Sequence, residues 1–250
     1  VPLTKEERTD YTKKDSIQIV KESKPYLDSI DRVNNKFKLG DILGYTYQNS
    51  HKDYRLGFSM PITGVRFNTV QGYTAKANVF YTKNYDEYKR YFNASANIEY
   101  GFSDERLRAT GSLNYKFNNT SRAFLTLSGG VSLQQFNPAE PISPLINSVS
   151  TLFFEDNYMK LYDRSFLQLN YSEELFNGFR LYAGLSYERR KALFNTTDQT
   201  FYNDEDDAYT SNNPLDETAF GIAPFETHNI VKANVSAQIN FAQDFFSGKF

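Results

Sequence analysis

The sequence predicts an all-β protein: an antiparallel transmembrane β-barrel with a short helical segment at its amino terminus. Three observations predict this fold: long stretches of alternating apolar and polar residues, small uncharged residues on their polar side, and a mixture of short and long connections. Successive side chains of a strand lie on opposite faces, so each stretch has one apolar and one polar face. Strands that cross a bilayer need about 9–11 residues, whereas ordinary strands average roughly 5–6.

The clearest alternation runs from Phe92 to Phe102. Its apolar side consists of Phe92, Ala94, Ala96, Ile98, Tyr100 and Phe102, and its polar side of Asn93, Ser95, Asn97 and Glu99. The pattern returns at 107–117, 123–133, 179–187 and 231–241. We predict about eight strands, near residues 41–49, 65–82, 89–102, 106–117, 122–136, 161–173, 178–192 and 229–241. Pro61 and Gly64 interrupt the stretch from 54 to 70, which weakens the assignment of the first two strands.

The polar side of the strands favours a membrane barrel over a soluble one. A soluble lipocalin-like ligand-binding barrel would also alternate, with its apolar face inward, and it stays an alternative. A face in bulk water usually carries Lys and Glu. Here the polar positions are Thr126, Ser128, Gly130, Ser132 and Gln134 in one strand, and Asn234, Ser236, Gln238 and Asn240 after Lys232 in the last. Small hydrogen-bonding groups suit an enclosed lumen in which neighbours satisfy one another.

Composition narrows the function classes. The formal net charge of -2 gives no basic surface for nucleic acid, and the absence of Cys removes disulfides, thiolate metal sites and Cys nucleophiles. Mean hydropathy is -0.60, and no run of about 20 apolar residues exists, so a helical membrane protein is excluded. A barrel is compatible with this value because only alternate residues contact lipid. The 19 Tyr and 22 Phe suit the aromatic girdles of such barrels.

Residues 1–36 are predicted to form a two-part helical lead-in on the periplasmic side, and residues 37–250 the barrel. Asp15, with Gln18 three positions later, is a variant of the capping box and predicts a helix start. Pro25 interrupts that helix and fits the first turn of a second one, for which Ser23 is the expected cap. An apolar stripe at helical spacing follows, formed by Tyr26, Leu27, Ile30 and Val33.

The connections predict the topology. Those at 137–160 and 193–228 are long, and two strands separate them, so both emerge on the same side of the sheet. Transmembrane barrels have short periplasmic turns and long external loops, so we assign this side to the exterior and the helical lead-in to the periplasm. Residues 242–250, with Gln243, Asp244, Ser247 and Gly248, resemble a turn rather than a strand. We therefore expect an open segment of a larger barrel whose parent chain continues.

The sequence assigns no catalytic, cofactor-binding or metal-ligating residue. His51 and His228 lie in loop-like contexts without a nucleophile motif, so a barrel hydrolase with a site on the external loops is only an alternative. The acidic run from Asp204 to Asp207 could bind a cation, but it lacks the spacing of a calcium loop. Arg189, Arg190 and Lys191 lie at the outer end of a strand, where cations pair with lipopolysaccharide phosphates or mark the interface.

Several stretches resemble one family of Bacteroidetes outer-membrane barrels, which has no assigned function and carries an amino-terminal carboxypeptidase-regulatory-like domain. These are KPYLDSIDRVNNKF (24–37), VRFNTVQGY (65–73), NGFRLYAGLSYERRKALFNTTD (177–198) and SNNP (211–214). That family is distantly similar to the surface-antigen barrels that insert or secrete proteins. The resemblance implies a non-enzymatic barrel in the bacterial outer membrane that acts in transport, secretion or envelope assembly. Its partners would be lipid, lipopolysaccharide and other outer-membrane proteins.

Overall fold

The computed structural model describes residues 4–60, 65–85, 89–137, 139–201 and 209–241. Within these ranges the helices are α1 (Lys5–Glu22), α2 (Lys24–Asn34) and α3 (Pro144–Phe154), with a 3₁₀ helix at Leu39–Leu43. The strands are β1 (Gly44–Asn49), β2 (Tyr54–Ser59), β3 (Arg66–Asn68), β4 (Gly72–Tyr85), β5 (Arg90–Gly101), β6 (Arg106–Lys116), β7 (Phe124–Gln135), β8 (Leu161–Phe176), β9 (Phe179–Ala192) and β10 (His228–Ile239).

All described strands belong to one antiparallel sheet. Nine of them follow the order β1-β2-β4-β5-β6-β7-β8-β9-β10, and β3 pairs only with β4. The predicted all-β antiparallel class, with a short helical segment before it, is therefore confirmed. Among the described residues β1 and β10 do not pair with each other, so the sheet is open rather than closed.

Among the described residues the sheet contains ten strands rather than the predicted eight or so. The two additional strands lie on its amino-terminal side. The segment 65–82 is not one strand, because β3 turns tightly into β4 at Gly72, whose φ is +66°. A Cβ at Gly72 would meet the side chain of Ser103, so the turn needs glycine. The sequence also missed β2, whose six residues are too short for a membrane-length alternation. Pro61 and Gly64 lie outside the described residues.

One face of the sheet, here called the apolar face, carries continuous apolar rows across neighbouring strands. One row consists of Tyr47, Leu56, Tyr81, Ala94, Leu113, Leu127, Leu169, Leu185 and Ala233. The next row consists of Tyr45, Phe58, Val79, Ala96, Gly111, Gly129, Leu167, Tyr187 and Val231. Neither row contains a charged residue, and many of these side chains are exposed, such as Leu185 at 54% and Val79 at 41%.

The opposite face, here called the polar face, is held by hydrogen bonds between side chains of neighbouring strands. Asn93 donates to the Thr82 hydroxyl at 2.9 Å, and Thr126 donates to Asn114 Oδ1 at 2.9 Å. The hydroxyls of Ser95 and Ser112 lie 2.8 Å apart. Small polar groups of neighbouring strands therefore form hydrogen bonds with one another in the middle of the sheet.

The first amino-terminal helix begins earlier than predicted. Helix α1 starts at Lys5, because Thr4 accepts a hydrogen bond from the Glu7 amide and the Glu7 side chain accepts one from the Thr4 amide. Asp15 lies inside this helix, so its assignment as a cap is wrong. Helix α2 does begin directly after Ser23, with Pro25 in its first turn, although the Ser23 side chain donates to Val20 O instead of capping.

Helix α2 is anchored to the β1–β2 turn. The Asp31 carboxylate, which is buried, accepts from the Ser50 amide at 2.6 Å and from the Ser50 hydroxyl at 2.7 Å. Asn35 both donates to Gln48 O and accepts from the Gln48 amide. Helix α2 therefore docks at the end of the sheet where the β1–β2 turn lies, and we call this end the turn end.

Candidate functional site

The two long connections meet at the opposite end of the sheet, here called the loop end. The Lys160 ammonium donates to Ser211 O at 2.6 Å, which joins the connection before β8 to the one before β10. Asn195 Nδ2 donates to Thr210 O at 3.0 Å within the second connection. This arrangement agrees with the expectation that both emerge on the same side. We call the resulting layer the cap; it consists of residues 65–72, 139–160, 193–201 and 209–222.

Helix α3 is the part of the cap that the sequence did not predict, since 137–160 was expected to be a loop. Its buried side is polar: the Ser148 hydroxyl accepts from the Phe67 amide at 2.9 Å, and Asn147 Oδ1 accepts from the Met159 amide at 2.9 Å. Thr151 is fully buried, and its carbonyl accepts from the Tyr209 hydroxyl at 2.7 Å. The apolar residues Leu145, Ile146, Val149, Phe153 and Phe154 are exposed instead.

Asn212 ties the cap to the strands. Its Oδ1 accepts from the Leu161 amide at 2.8 Å, while its Nδ2 donates to Leu161 O at 2.7 Å and to Leu193 O at 2.8 Å. Because Leu161 begins β8 and Leu193 follows β9, this one amide holds together the ends of two neighbouring strands. Asn212 is 2% exposed.

Of the four stretches on which the resemblance is based, 65–73, 211–214 and the last part of 177–198 come together in the cap, whereas 24–37 lies at the turn end. The Thr69 hydroxyl donates to Asn195 Oδ1 at 2.7 Å, and the Thr196 hydroxyl donates to Val70 O at 2.9 Å. Val70 also packs in a small apolar cluster with Met159 and Leu161. These three segments therefore build one structural unit, although they are far apart in sequence.

A cavity of about 560 Å³, lined by both polar and apolar side chains, lies beneath the cap, on the polar face of β4, β5 and β6. Its lining includes Lys76 and Glu99, which form an ion pair at 3.0 Å, and Arg108. Arg108 is 3% exposed and contacts Asp104 at 2.7 Å and Asp163 at 3.8 Å. The charged side chains on the wall of the cavity therefore form ion pairs with acidic or basic neighbours.

Gly130 marks the place where β7 leaves β6 and the cavity opens. Pairing between these strands ends at Thr110 and Gly130, whereas β7 continues to pair with β8 as far as Gln135. The φ of Gly130 is +134°, and a Cβ there would collide with the carbonyl oxygen of Ala109. Only glycine tolerates this conformation and this contact.

A second charged cluster lies on the polar face of β8, β9 and β10, around Glu188. Its carboxylate, which is 3% exposed, accepts from Arg164 Nε at 2.7 Å, from Arg190 Nε at 3.0 Å and from Lys232 Nζ at 3.3 Å. Sequence reasoning assigned Arg190 to an external cationic cluster with Arg189 and Lys191, but Arg190 points to the polar face. The register, which places residues 44 positions apart side by side, is not visible in the sequence.

The histidines lie at opposite ends of the sheet. His51 is exposed in the β1–β2 turn, and His228 begins β10 with its Nδ1 2.8 Å from Glu226 O. Among the described residues, neither imidazole contacts a serine hydroxyl or a carboxylate. In the same ranges no three His, Asp or Glu residues are grouped as a metal site requires. The run from Asp204 to Asp207 lies outside the described residues.

Two titratable groups of the cap have shifted pKa values. Burial lowers the pKa of Lys160 to about 8, although the Glu217 carboxylate opposes this shift. Burial raises the pKa of Tyr209 to about 12, with help from the charges of Glu155 and Asp198. Both groups are therefore more easily kept neutral in the folded cap than in water.

These shifts predict how the stability of the cap changes with pH. Between pH 8 and 10.5 the unfolded chain retains the Lys160 proton that the folded chain has lost, so stability rises with pH. Between pH 10 and 12 the folded chain retains the Tyr209 proton that the unfolded chain has lost, so stability falls. Urea unfolding at pH 7–12 should therefore show a maximum near pH 10. Lys160→Met should abolish the rise in the free energy of unfolding between pH 8 and 10.5, and Tyr209→Phe should abolish its fall between pH 10 and 12. If neither substitution changed the pH profile, the two slopes would not come from Lys160 and Tyr209.

The part of the chain that the structure describes contains no helix with the length and apolarity needed to cross a membrane. A family model described as the C-terminal domain of a family of unknown function, DUF5686, matches residues 40–249. The matched range begins within the 3₁₀ helix before β1 and includes the whole sheet and the cap. No curated protein and no solved structure is detectably similar to the chain.

Proposed function

Because the chain belongs to the DUF5686 family, whose function is unknown, we propose a function from the two faces of its sheet. The protein is an integral β-barrel of the bacterial outer membrane. It is non-enzymatic and acts in transport, secretion or envelope assembly, alone or as a subunit of a larger complex. The apolar face contacts lipid and the polar face lines a lumen.

The observation that carries this proposal is the distribution of charge and burial between the two faces. On the apolar face, two successive rows cross nine strands without a single charged residue, yet many of their side chains are exposed. On the polar face, charged groups such as Arg108 and Glu188 are each 3% exposed. A soluble lipocalin-like barrel would have the reverse arrangement, with its apolar side chains enclosed.

The dimensions support the same placement. From Phe92 to Phe102 the apolar face extends for ten residue steps, which at about 3.3 Å per residue is roughly 33 Å along the strand. A tilt of about 40° would reduce this length to roughly 25 Å across the bilayer, the height of the apolar band in known barrels. The charged residues at apolar-face positions lie near the strand ends; they are Lys83, Arg90, Asp163, Glu173, Arg189 and Lys191.

Aromatic side chains support an interface at the turn end. On the apolar face Tyr54 lies 6.0 Å from Tyr81, and Tyr81 lies 6.2 Å from Phe92, measured between ring centroids. A second series continues this belt, with Phe117 between Tyr115 at 4.8 Å and Tyr171 at 6.4 Å. Such belts occupy the membrane–water boundary, where rings with a polar tip are stabilised. With this end in the periplasm, α1 and α2 are periplasmic and the cap is external.

Because the sheet is open, the proposed barrel contains more strands than the described ones. In hydrocarbon, the unpaired backbone groups along the free edges of β1 and β10 would each cost several kcal/mol. Further strands must therefore pair with these edges in the membrane, from the same polypeptide or from a partner. The lumen is correspondingly wider than nine strands alone would enclose.

Single tryptophans test the proposal, because the chain contains no Trp of its own. Val235 and Ser236 are adjacent and exposed on β10 and point to opposite faces, so they form a matched pair. In vesicles containing brominated lipids, the fluorescence of Val235→Trp should be strongly quenched and that of Ser236→Trp largely spared. Equal quenching, or stronger quenching of Ser236→Trp, would refute lipid contact of the apolar face.

A further inference from the structure

Charged residues are distributed very unevenly on the sheet. At polar-face positions the nine strands of the main path carry nine cations: Arg55, Lys76, Arg106, Arg108, Lys116, Arg164, Arg180, Arg190 and Lys232. They carry three carboxylates at such positions: Glu99, Glu174 and Glu188. Asp104 and Asp163 also reach this side by contacting Arg108. The polar face is therefore positive, although the chain as a whole has a formal charge of -2.

This excess is not spread evenly over the polar face. At the cavity, Lys76 pairs with Glu99, and the two arginines of β6 face Asp104 and Asp163, so charges there balance. On β8, β9 and β10, by contrast, three cations share the single carboxylate of Glu188. This cluster keeps a net charge of about two positive units.

Neighbouring groups fix the cations of this region in place. The Arg164 guanidinium lies 4.3 Å from the Phe166 ring centroid, and that of Arg190 lies 5.2 Å from the Tyr162 ring centroid. Towards the turn end of β9, Arg180 donates to the Ser172 hydroxyl at 3.1 Å and lies over the ring of Tyr182. Arg164 and Arg190 therefore share the one carboxylate of Glu188 and each also contacts a ring. Because the cations outnumber this carboxylate, the region keeps an excess of positive charge for a further partner.

We propose that the polar face of β8, β9 and β10 is an anion-attracting wall, centred on Arg164, Arg190 and Lys232, and that the lumen accommodates small negatively charged solutes. A fixed excess of one sign on a wall of low dielectric concentrates counter-ions, and rings of Arg and Lys select anions in pores. The inference rests on the proposed function in one respect, namely that the polar face lines a lumen.

Single cysteines can report the local potential, because the chain contains no Cys. Ser186 lies on the polar face opposite Lys232, and Ser112 lies in the same row of the sheet among serines. Ser186→Cys and Ser112→Cys are reacted with two thiosulfonate reagents of similar size, one bearing a sulfonate and one a trimethylammonium group. Each rate is normalised to that of a free thiol in solution.

The anionic reagent should react faster at Ser186→Cys, and a potential of about one kT would give a normalised ratio of roughly sevenfold. The ratio should be close to one at Ser112→Cys. Lys232→Gln in the Ser186→Cys background should lower the ratio of the two normalised rates by about half. In 1 M salt, where the Debye length is about 3 Å, the ratio should approach one. A ratio at Ser186→Cys that does not exceed that at Ser112→Cys would overturn the inference.

The Leu185→Cys variant tests the bilayer placement of the sheet independently of the charge preference at Ser186→Cys. Leu185 is adjacent to Ser186 and lies on the apolar face, so its thiol should react with neither water-soluble reagent in vesicles. Rapid reaction of Leu185→Cys with both would refute the bilayer placement while leaving the charge preference at Ser186→Cys as an independent result. An unreactive Leu185→Cys without a preference at Ser186→Cys would refute the anion-attracting wall alone.

Discussion

Ala96→Arg is expected to lower the free energy of unfolding by about 2–4 kcal/mol, the cost of placing Arg near the bilayer midplane on the lipid face of a barrel. Ala96 pairs with Val79 on one side and Gly111 on the other, in the second charge-free row. It lies too far from either end of β5 for a guanidinium to reach water easily. Urea titrations of the protein refolded in lipid vesicles would measure the effect.

Ser95→Arg is the matched control, because Ser95 is the preceding residue and lies on the polar face. Its substitution breaks the contact with the Ser112 hydroxyl but leaves the charge in the lumen, so the cost should be clearly smaller. Val235→Arg and Ser236→Arg repeat the comparison on β10. If the polar-face substitutions proved the more damaging pair, the apolar face would be the enclosed one and the soluble barrel would be the correct fold.

Alternation predicted most of the long strands well. Strands β5 to β10 were found near their predicted bounds, since a period of two residues is a local property that register does not change. The same reasoning failed at β2, where six residues give three repeats of the pattern, and at Gly72, where β3 turns into β4. It also placed the first helix start at Asp15, although Thr4 and Glu7 form a complete capping box earlier in the chain.

The cap could not be predicted in the same way. Helix α3 has a helical pattern, but its buried positions are Asn147, Ser148, Thr151 and Leu152, so the usual rule of apolar residues inside does not identify its packing face. The partners of these side chains lie far away in sequence; Phe67, for example, is 81 positions from Ser148. The resemblance of the stretches 65–73 and 211–214 to one family singled them out in the sequence but did not indicate that they contact the same structural unit.

Asn212→Ala should have the largest effect within the cap, lowering its stability by about 3 kcal/mol. The substitution removes three hydrogen bonds, each worth about 1 kcal/mol, and leaves the Leu161 amide and two carbonyls buried without partners. Because that amide is held by Asn212, its hydrogen exchange reports the opening directly. Exchange at Leu161 should accelerate about 100-fold, which corresponds to roughly 2.7 kcal/mol at 1.36 kcal/mol per tenfold change.

Asn229→Ala is the control for the loss of an amide, since Asn229 lies exposed on β10 and its side chain accepts from the Tyr187 hydroxyl. Its effect on Leu161 exchange should be negligible. Asn212→Asp retains the acceptor for the Leu161 amide but sets a carboxylate oxygen against two carbonyls, so it should destabilise the cap as well. If Asn212→Ala left exchange at Leu161 unchanged, the strand ends would be held by the remaining cap contacts. In that case the resemblance of the SNNP stretch (211–214) to the family would reflect a role other than stabilising the cap.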